Sequence, residues 1–381
     1  MTTDERMRNT GLITFFISGL CAISSGIIVS ILREKYGFSF GVTGMLLSFM
    51  SIGNVIASFL SGILPAKIGA RNTVLVLGSG YFLGYALMTF TGITGFLILA
   101  FLMVGLAKGC ALNNCTVLVG NHSRNRTRGM SLMHSFYAMG ALICPILISF
   151  LAGINKNFAM AGVALAGLAF WLVFFSQDLD GGKKETAGGD RRSDFSFLKN
   201  PVFWVLTALV FCQNAAETSV TGWLVTYYKD ENILSGLYAN YTMTVMWTAT
   251  LIARLLIAFV FPVRDTFKVL TFYGFGCTLL YAVLITLHAP LPALAALFAF
   301  AFMMAPINPV AVAGVGKQMS TASMGVLFPV SSIGAIVMPY IIGIAADCFG
   351  LQAGMYTNII PCAGITVLSF IMVRISRTKT S

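Results

Sequence analysis

The sequence has little charge. Charged residues make up 10% of its 381 positions, whereas soluble globular domains carry roughly 25%. Hydrophobic residues make up 57%, and the mean hydropathy is +0.86. This composition excludes an ordinary soluble domain and predicts a protein that lies in a lipid bilayer.

Sequence patterns for metal, disulfide or nucleotide chemistry are missing too. The eight cysteines are scattered and form no Cys-x-x-Cys pair, which argues against a metal or disulfide role. The glycine-containing stretch from Gly109 to Gly120 lacks the Gly-Lys-Ser/Thr ending of a phosphate-binding loop. No nucleophile–base set stands out, so we predict that the protein is not an enzyme and needs no cofactor.

Long apolar runs are what the sequence has instead. About 20 apolar residues cross the hydrocarbon core of a bilayer as a helix. Twelve such runs occur, at 10–31, 41–64, 73–92, 95–118, 129–152, 158–177, 201–224, 240–262, 267–287, 291–313, 320–343 and 352–374. The sequence therefore predicts an all-α membrane protein with twelve transmembrane helices.

The net charge of +11 follows the topology of these spans. Most of the 24 Lys and Arg residues fall in the loops on one side, as the positive-inside rule describes for cytoplasmic loops. We therefore predict that both termini are cytoplasmic and that nucleic acid is not a partner. The first span lacks a signal-peptide cleavage pattern, and the loops are compact. These features favour a bacterial inner membrane, and we expect a monomer.

The two halves of the chain resemble each other. Equivalent residues recur 194 positions apart (334 − 140): Gly140 and Gly334, Pro145 and Pro339, Asn114 and Asn308. The polar stretch 178–200 separates them, which predicts two pseudo-symmetric six-helix bundles, 1–177 and 201–381. Parallel repeats of this kind build transporters with a solute site near the middle of the membrane, so the partners implied are a small-molecule substrate and the bilayer.

Glu217 is a lone carboxylate in the apolar run from Phe203 to Leu224. A charge at this depth costs at least ~2.5 kcal/mol, and such residues usually face a bundle interior or a wet cavity. Its counterpart in the first half is Ile23, so the acid is not part of the duplicated pattern. We predict that Glu217 couples transport to a proton or sodium gradient. The alternative is a structural ion pair or hydrogen bond.

Lys108 is the matching base, and its counterpart is Phe302. It could capture an anionic solute or act as the counter-ion of Glu217. The structural alternative is a lysine that extends to the membrane surface.

Several amides and one aromatic residue complete the predicted substrate set. Amides both donate to and accept from hydroxyl groups, although they also join helices to each other. Gln213 shares a helix face with Glu217 because the two are four positions apart. Trp223 could stack on a sugar ring or anchor the helix at the membrane surface. The set is Lys108, Asn113, Asn114, Gln213, Asn214, Trp223 and Asn308.

The loop from Gly62 to Asn72 resembles the loop signature of the major facilitator superfamily, Gly-x3-Asp-Arg/Lys-x-Gly-Arg. It departs at Ala66, where the signature has an acid. In that superfamily the acid of the signature helps to latch the cytoplasmic side of the two halves. By the same resemblance we predict gating roles for the basic residues of this loop, Lys67 and Arg71.

Within the superfamily, the chain resembles the fucose–galactose–glucose:proton symporter branch. The similar stretches are Ala216-Glu217-Thr218-Ser219 with Gly222-Trp223-Leu224, Ala253-Arg254-Leu255-Leu256, and the opening of span 5 from Arg128 to Gly140. The resemblance implies that spans 1, 4, 7 and 10 line a central cavity. We expect Arg254 to support the cytoplasmic gate by contacting helix-end carbonyl groups or a loop.

These features together predict a secondary active transporter that moves a sugar or similar small polar solute by alternating access. We predict that transport is coupled to protons rather than sodium and that Glu217 is the coupling residue. The alternatives are an organic-anion transporter anchored by Lys108 and a multidrug or metabolite exporter. The duplicated layout argues against a receptor that transports nothing.

Overall fold

The computed structural model describes residues 3–124, 126–177, 195–259, 265–315 and 321–378, and these residues form helices and connecting turns without a β-strand. Twelve long helical segments follow one another within these ranges. They are α1 Thr3–Tyr36, α2 Phe40–Ile63, α3 Ala70–Gly78 continued by Gly80–Phe90, α4 Thr94–Asn121, α5 Arg126–Ile154, α6 Lys156–Phe175, α7 Pro201–Asp230, α8 Thr242–Phe259, α9 Thr266–Leu284, α10 Pro290–Met304 continued by Ile307–Val315, α11 Thr321–Phe349, and α12 Leu351–Tyr356 continued by Ile359–Thr378.

Each predicted span falls on one of these helices, and the all-α membrane fold is confirmed. Ten of the helices among the described residues are long and apolar enough to cross a membrane. The exceptions are α7 and α8. The middle of α7 carries Gln213, Asn214 and Glu217, which lower its mean hydropathy. One of the two helices that miss this criterion is thus the one with the predicted coupling residue.

The first compact unit contains α1 to α6 together with residues 236–244. Its α1 and α5 cross at glycines. A methyl group on Gly140 would overlap the carbonyl oxygen of Phe16, and one on Gly19 would overlap that of Tyr137. Small residues let two helix backbones approach closely, which is how helices pack when lipid surrounds them.

Residues 236–244 follow α7 in the chain but pack within the first unit. The fully buried Asn240 donates from Nδ2 to Ser149 Oγ of α5 at 3.1 Å. The predicted boundaries at 177 and 201 stay a prediction, since most of the linker lies outside the described residues.

The second compact unit contains α7 and most of α8 to α12. Here α7 and α11 cross at Gly334, where a methyl group would overlap the carbonyl oxygen of Phe211. Gly334 is the repeat partner of Gly140, so the same close crossing occurs in each unit. The repeat that the sequence indicated is thus a repeat of helix packing.

Replacing Gly334 by Ala should destabilise the protein by about 1–3 kcal/mol, because the added methyl group must displace a helix backbone. Thermal unfolding of the purified protein would measure the loss. Gly95→Ala is the matched control, since a methyl group there meets no atom within 4 Å. An unchanged melting temperature for Gly334→Ala would show that the α7–α11 crossing adapts at no cost.

Candidate functional site

Glu217 lies near the middle of α7, 16 residues after Pro201 and 13 before Asp230. Its side chain is half-buried. Gln213, one turn earlier on the same face, donates a short hydrogen bond from Nε2 to Glu217 Oε2. The predicted sharing of one helix face is confirmed by this contact.

Asn308 extends the hydrogen-bond chain to a second helix. Its Nδ2 donates to Gln213 Oε1 at 3.0 Å. Asn308 lies at the second position of Ile307–Val315, just after the interruption of α10 at Ala305 and Pro306. Asn308, Gln213 and Glu217 therefore form one continuous chain, which we call the amide–carboxylate chain. Interrupted helices are a common way to place polar groups at membrane depth.

The interruption of α10 also explains the position of Arg254. Pro309 has no N–H, so the carbonyl of Ala305, four positions earlier, receives no helical hydrogen bond from it. Arg254 Nε of α8 reaches the Ala305 carbonyl oxygen at 3.5 Å. The expected contact with a helix-end carbonyl is present, and the gating role of Arg254 stays a prediction.

Two other predicted substrate residues on α7 contact α11 instead. Asn214 donates from Nδ2 to Ser331 Oγ at 3.4 Å. Trp223 is 0% exposed, and its Nε1 donates to the carbonyl oxygen of Pro339 at 3.0 Å. Both stacking on a sugar and anchoring at the membrane surface need an exposed ring face. We therefore leave Trp223 out of the proposed site.

The sequence reasoning missed Asn358. This fully buried amide lies between the two parts of α12 and donates to the carbonyl oxygen of Ala216 at 3.4 Å. Its Oδ1 and the buried hydroxyl of Ser219 have no hydrogen-bond partner among the described residues. A polar residue at a helix interruption was the available signal. The region around Glu217 thus keeps unused hydrogen-bonding capacity.

Lys108 belongs to the first unit. It lies at the centre of α4, 14 residues after Thr94 and 13 before Asn121, and is half-buried. Neighbouring Gly105 and Gly109 press α4 against backbone carbonyls of α2. The central position makes extension to the membrane surface difficult for this lysine.

The amides of α4 differ from their counterpart in α10. Asn114 donates from Nδ2 to the carbonyl oxygen of Cys110 in its own helix at 2.9 Å, whereas its repeat partner Asn308 donates to α7. Asn113 is half-buried on an adjacent face. Their assignment to substrate binding stays a prediction.

The loop between α2 and α3 packs within the first unit. Arg71 donates from its guanidinium to the carbonyl oxygen of Phe175 at 2.6 Å, and the same group lies 5.0 Å from the centre of the Phe175 ring. Arg71 thus fastens this loop to the end of α6, while Lys67 is exposed. Neither contact tests the predicted gating.

Comparisons with known proteins agree with this architecture. The family model of the Major Facilitator Superfamily matches residues 11–339. The glucose/mannose transporter GlcP of Bacillus subtilis is 24% identical, over 97% of this chain and 94% of its own length. Bypass of stop codon protein 6 of Saccharomyces cerevisiae is 22% identical, over 90% of this chain and 77% of its own. The crystal structure of the nucleoside transporter NupG superposes with a TM-score of 0.78 at 14% identity, covering 98% of this chain and 99% of that one, which shows a shared fold.

Proposed function

Because the chain belongs to the major facilitator superfamily, and is therefore an integral membrane transporter and not an enzyme, we propose that it is a secondary active transporter of a sugar or similar small polar solute. It works by alternating access, and a proton gradient drives it through Glu217. It sits as a monomer in a bacterial inner membrane with both termini in the cytoplasm.

The observation that carries the coupling proposal is the setting of Glu217. The carboxylate lies half-buried at mid-helix in a predicted membrane span, where an ionised group needs hydrogen-bond donors. Gln213 supplies one donor to Oε2. Gln213 is the only described residue that donates a hydrogen bond to this carboxylate, so the group can take up a proton.

The amides support a hydroxylated solute. An asparagine or glutamine side chain offers both donors and acceptors, which match the hydroxyl groups of a sugar. Asn308 lies at the interruption of α10 with its Oδ1 unused by other described residues. The similarity to a glucose/mannose transporter over nearly the full length points the same way.

An organic anion is the second candidate, and Lys108 favours it. An ammonium group at the centre of a membrane helix attracts a carboxylate strongly where little water screens the charge. Lys108 is the one charged residue of Thr94–Asn121, so the charge that α4 offers to a solute is positive.

Thermal unfolding of the detergent-purified protein against D-glucose, D-mannose, succinate and benzoate should separate these candidates. A ligand at 100 times its Kd adds ~2.7 kcal/mol of stability, which is readily measured. We expect a sugar to stabilise the wild type and the Lys108→Gln variant alike. Stabilisation by the anions alone, lost in Lys108→Gln, would replace the sugar proposal by the anion one.

A further inference from the structure

The amide–carboxylate chain has a direction that Glu217 sets. An ionised carboxylate can only accept hydrogen bonds. Gln213 must therefore donate from Nε2 to Glu217, which leaves its Oε1 facing Asn308. Asn308 must then donate from Nδ2 to that oxygen. This order holds however the oxygen and nitrogen of each amide are assigned, because the carboxylate alone fixes it.

The far end of the chain presents one free acceptor. Asn308 is half-buried, and its Oδ1 accepts no hydrogen bond from any described residue. The amide group can therefore meet a solute at the interruption of α10. In the ionised state of Glu217, Asn308 offers that solute a carbonyl oxygen.

We infer that one proton taken up by Glu217 reverses the amide–carboxylate chain, so that Asn308 changes from offering an acceptor to offering a donor. The proton adds to the carboxylate oxygen that faces Gln213, which removes the negative charge and makes the carboxyl a donor. The Gln213 amide turns over to accept from it, and its Nε2 then donates to Asn308 Oδ1. Asn308 presents its Nδ2 outwards, and no proton moves along the amides.

This inference rests on the proposed coupling role of Glu217 and adds the group that the solute contacts. A ligand shifts an equilibrium only through its different affinity for the two states. An acceptor-only group, such as a carbonyl or carboxylate oxygen, binds Asn308 in the protonated state. A hydroxyl group serves both states, because it donates and accepts. Gln213 is the positioning residue between the two ends.

Few other titratable groups lie near the amide–carboxylate chain among the described residues of the second unit. Cys277 of α9 lies close enough to interact with the charge of Glu217, and Cys362 of α12 lies beside Cys277. Arg254 of α8 reaches Ala305, three positions before Asn308. On α11 the neighbouring group is the hydroxyl of Ser331, which contacts Asn214 and does not titrate.

Infrared difference spectra of the purified full chain, recorded between acid and alkaline pH without a solute, test the inference. Subtracting the Glu217→Gln spectrum identifies the carboxyl band of Glu217, and subtracting Asn308→Leu identifies the side-chain amide band of Asn308. We expect both bands to change with the same midpoint. A Cys277→Ala variant should leave that midpoint common to both.

Removing the middle residue of the amide–carboxylate chain should uncouple the infrared bands of Glu217 and Asn308. Gln213→Met is similar in size and lacks the amide, so the Glu217 band should remain while the Asn308 change is lost. Asn214→Ala, on the same helix but outside the chain, should keep both. A Glu217 band without an Asn308 change in the wild type would overturn the reversal and leave proton coupling standing. The lack of any Glu217 band would overturn the coupling itself.

Discussion

We expect Glu217→Gln to abolish the accumulation of solute against its gradient while exchange of solute across the membrane continues. A pH difference of one unit supplies about 1.4 kcal/mol for each proton that moves, which supports about tenfold accumulation. Glutamine has the size of glutamate and can still bond to Gln213, but it cannot take up a proton. The variant should therefore equalise the solute concentrations and go no further.

Uptake into proteoliposomes with an imposed pH gradient measures this prediction, and counterflow of labelled solute measures the exchange. Glu231→Gln is the control, since Glu231 caps the end of the same helix and lies 3.8 Å from His288. The control should accumulate solute as the wild type does. Full pH-driven accumulation by Glu217→Gln would remove Glu217 from the coupling mechanism.

Replacing Trp223 by Ala should cost about 3–5 kcal/mol of stability, the range found when a large aromatic core residue is removed. The ring is 0% exposed, and its N–H holds α7 to the Pro339 carbonyl of α11. Trp223→Phe keeps most of the packing and loses that hydrogen bond, so we expect a loss of only about 1 kcal/mol.

Thermal unfolding in detergent would rank these variants. Trp204→Ala is the matched control, because Trp204 lies on the same helix and is 45% exposed, and it should change stability little. A stable Trp223→Phe variant that no longer binds solute would return Trp223 to the substrate set.

Much of the fold could be read from the chain. A run of about 20 apolar residues is a local property, so each span could be located without knowing its neighbours. The recurrence of Gly140 at Gly334 indicated a duplication, and the structure shows what the glycines do, since each lets a helix backbone approach closely. The interruptions of α10 and α12 could not be located from the apolar runs, because each run continues through the interruption.

The site could be predicted only in part. Gln213 and Glu217 are four positions apart on one helix, so helical geometry alone placed them together. Asn114 and Asn308 looked equivalent, yet one donates to its own helix and the other to α7. From the sequence, the Trp223 ring could stack on a sugar or anchor the helix at the membrane surface. Only the packing of α11 against it showed that the ring is enclosed.

The sequence by itself determined that this is an all-α membrane protein with one acid in the middle of α7, and it predicted twelve spans in two related halves. Each of these follows from composition, spacing or a fixed offset, which need no knowledge of contacts. The tertiary structure decided which polar groups meet that acid. Hydrogen bonds between helices depend on where each helix is interrupted and which face it turns to its neighbour. Here the break at Pro306 brings Asn308 onto Gln213, and through it onto Glu217.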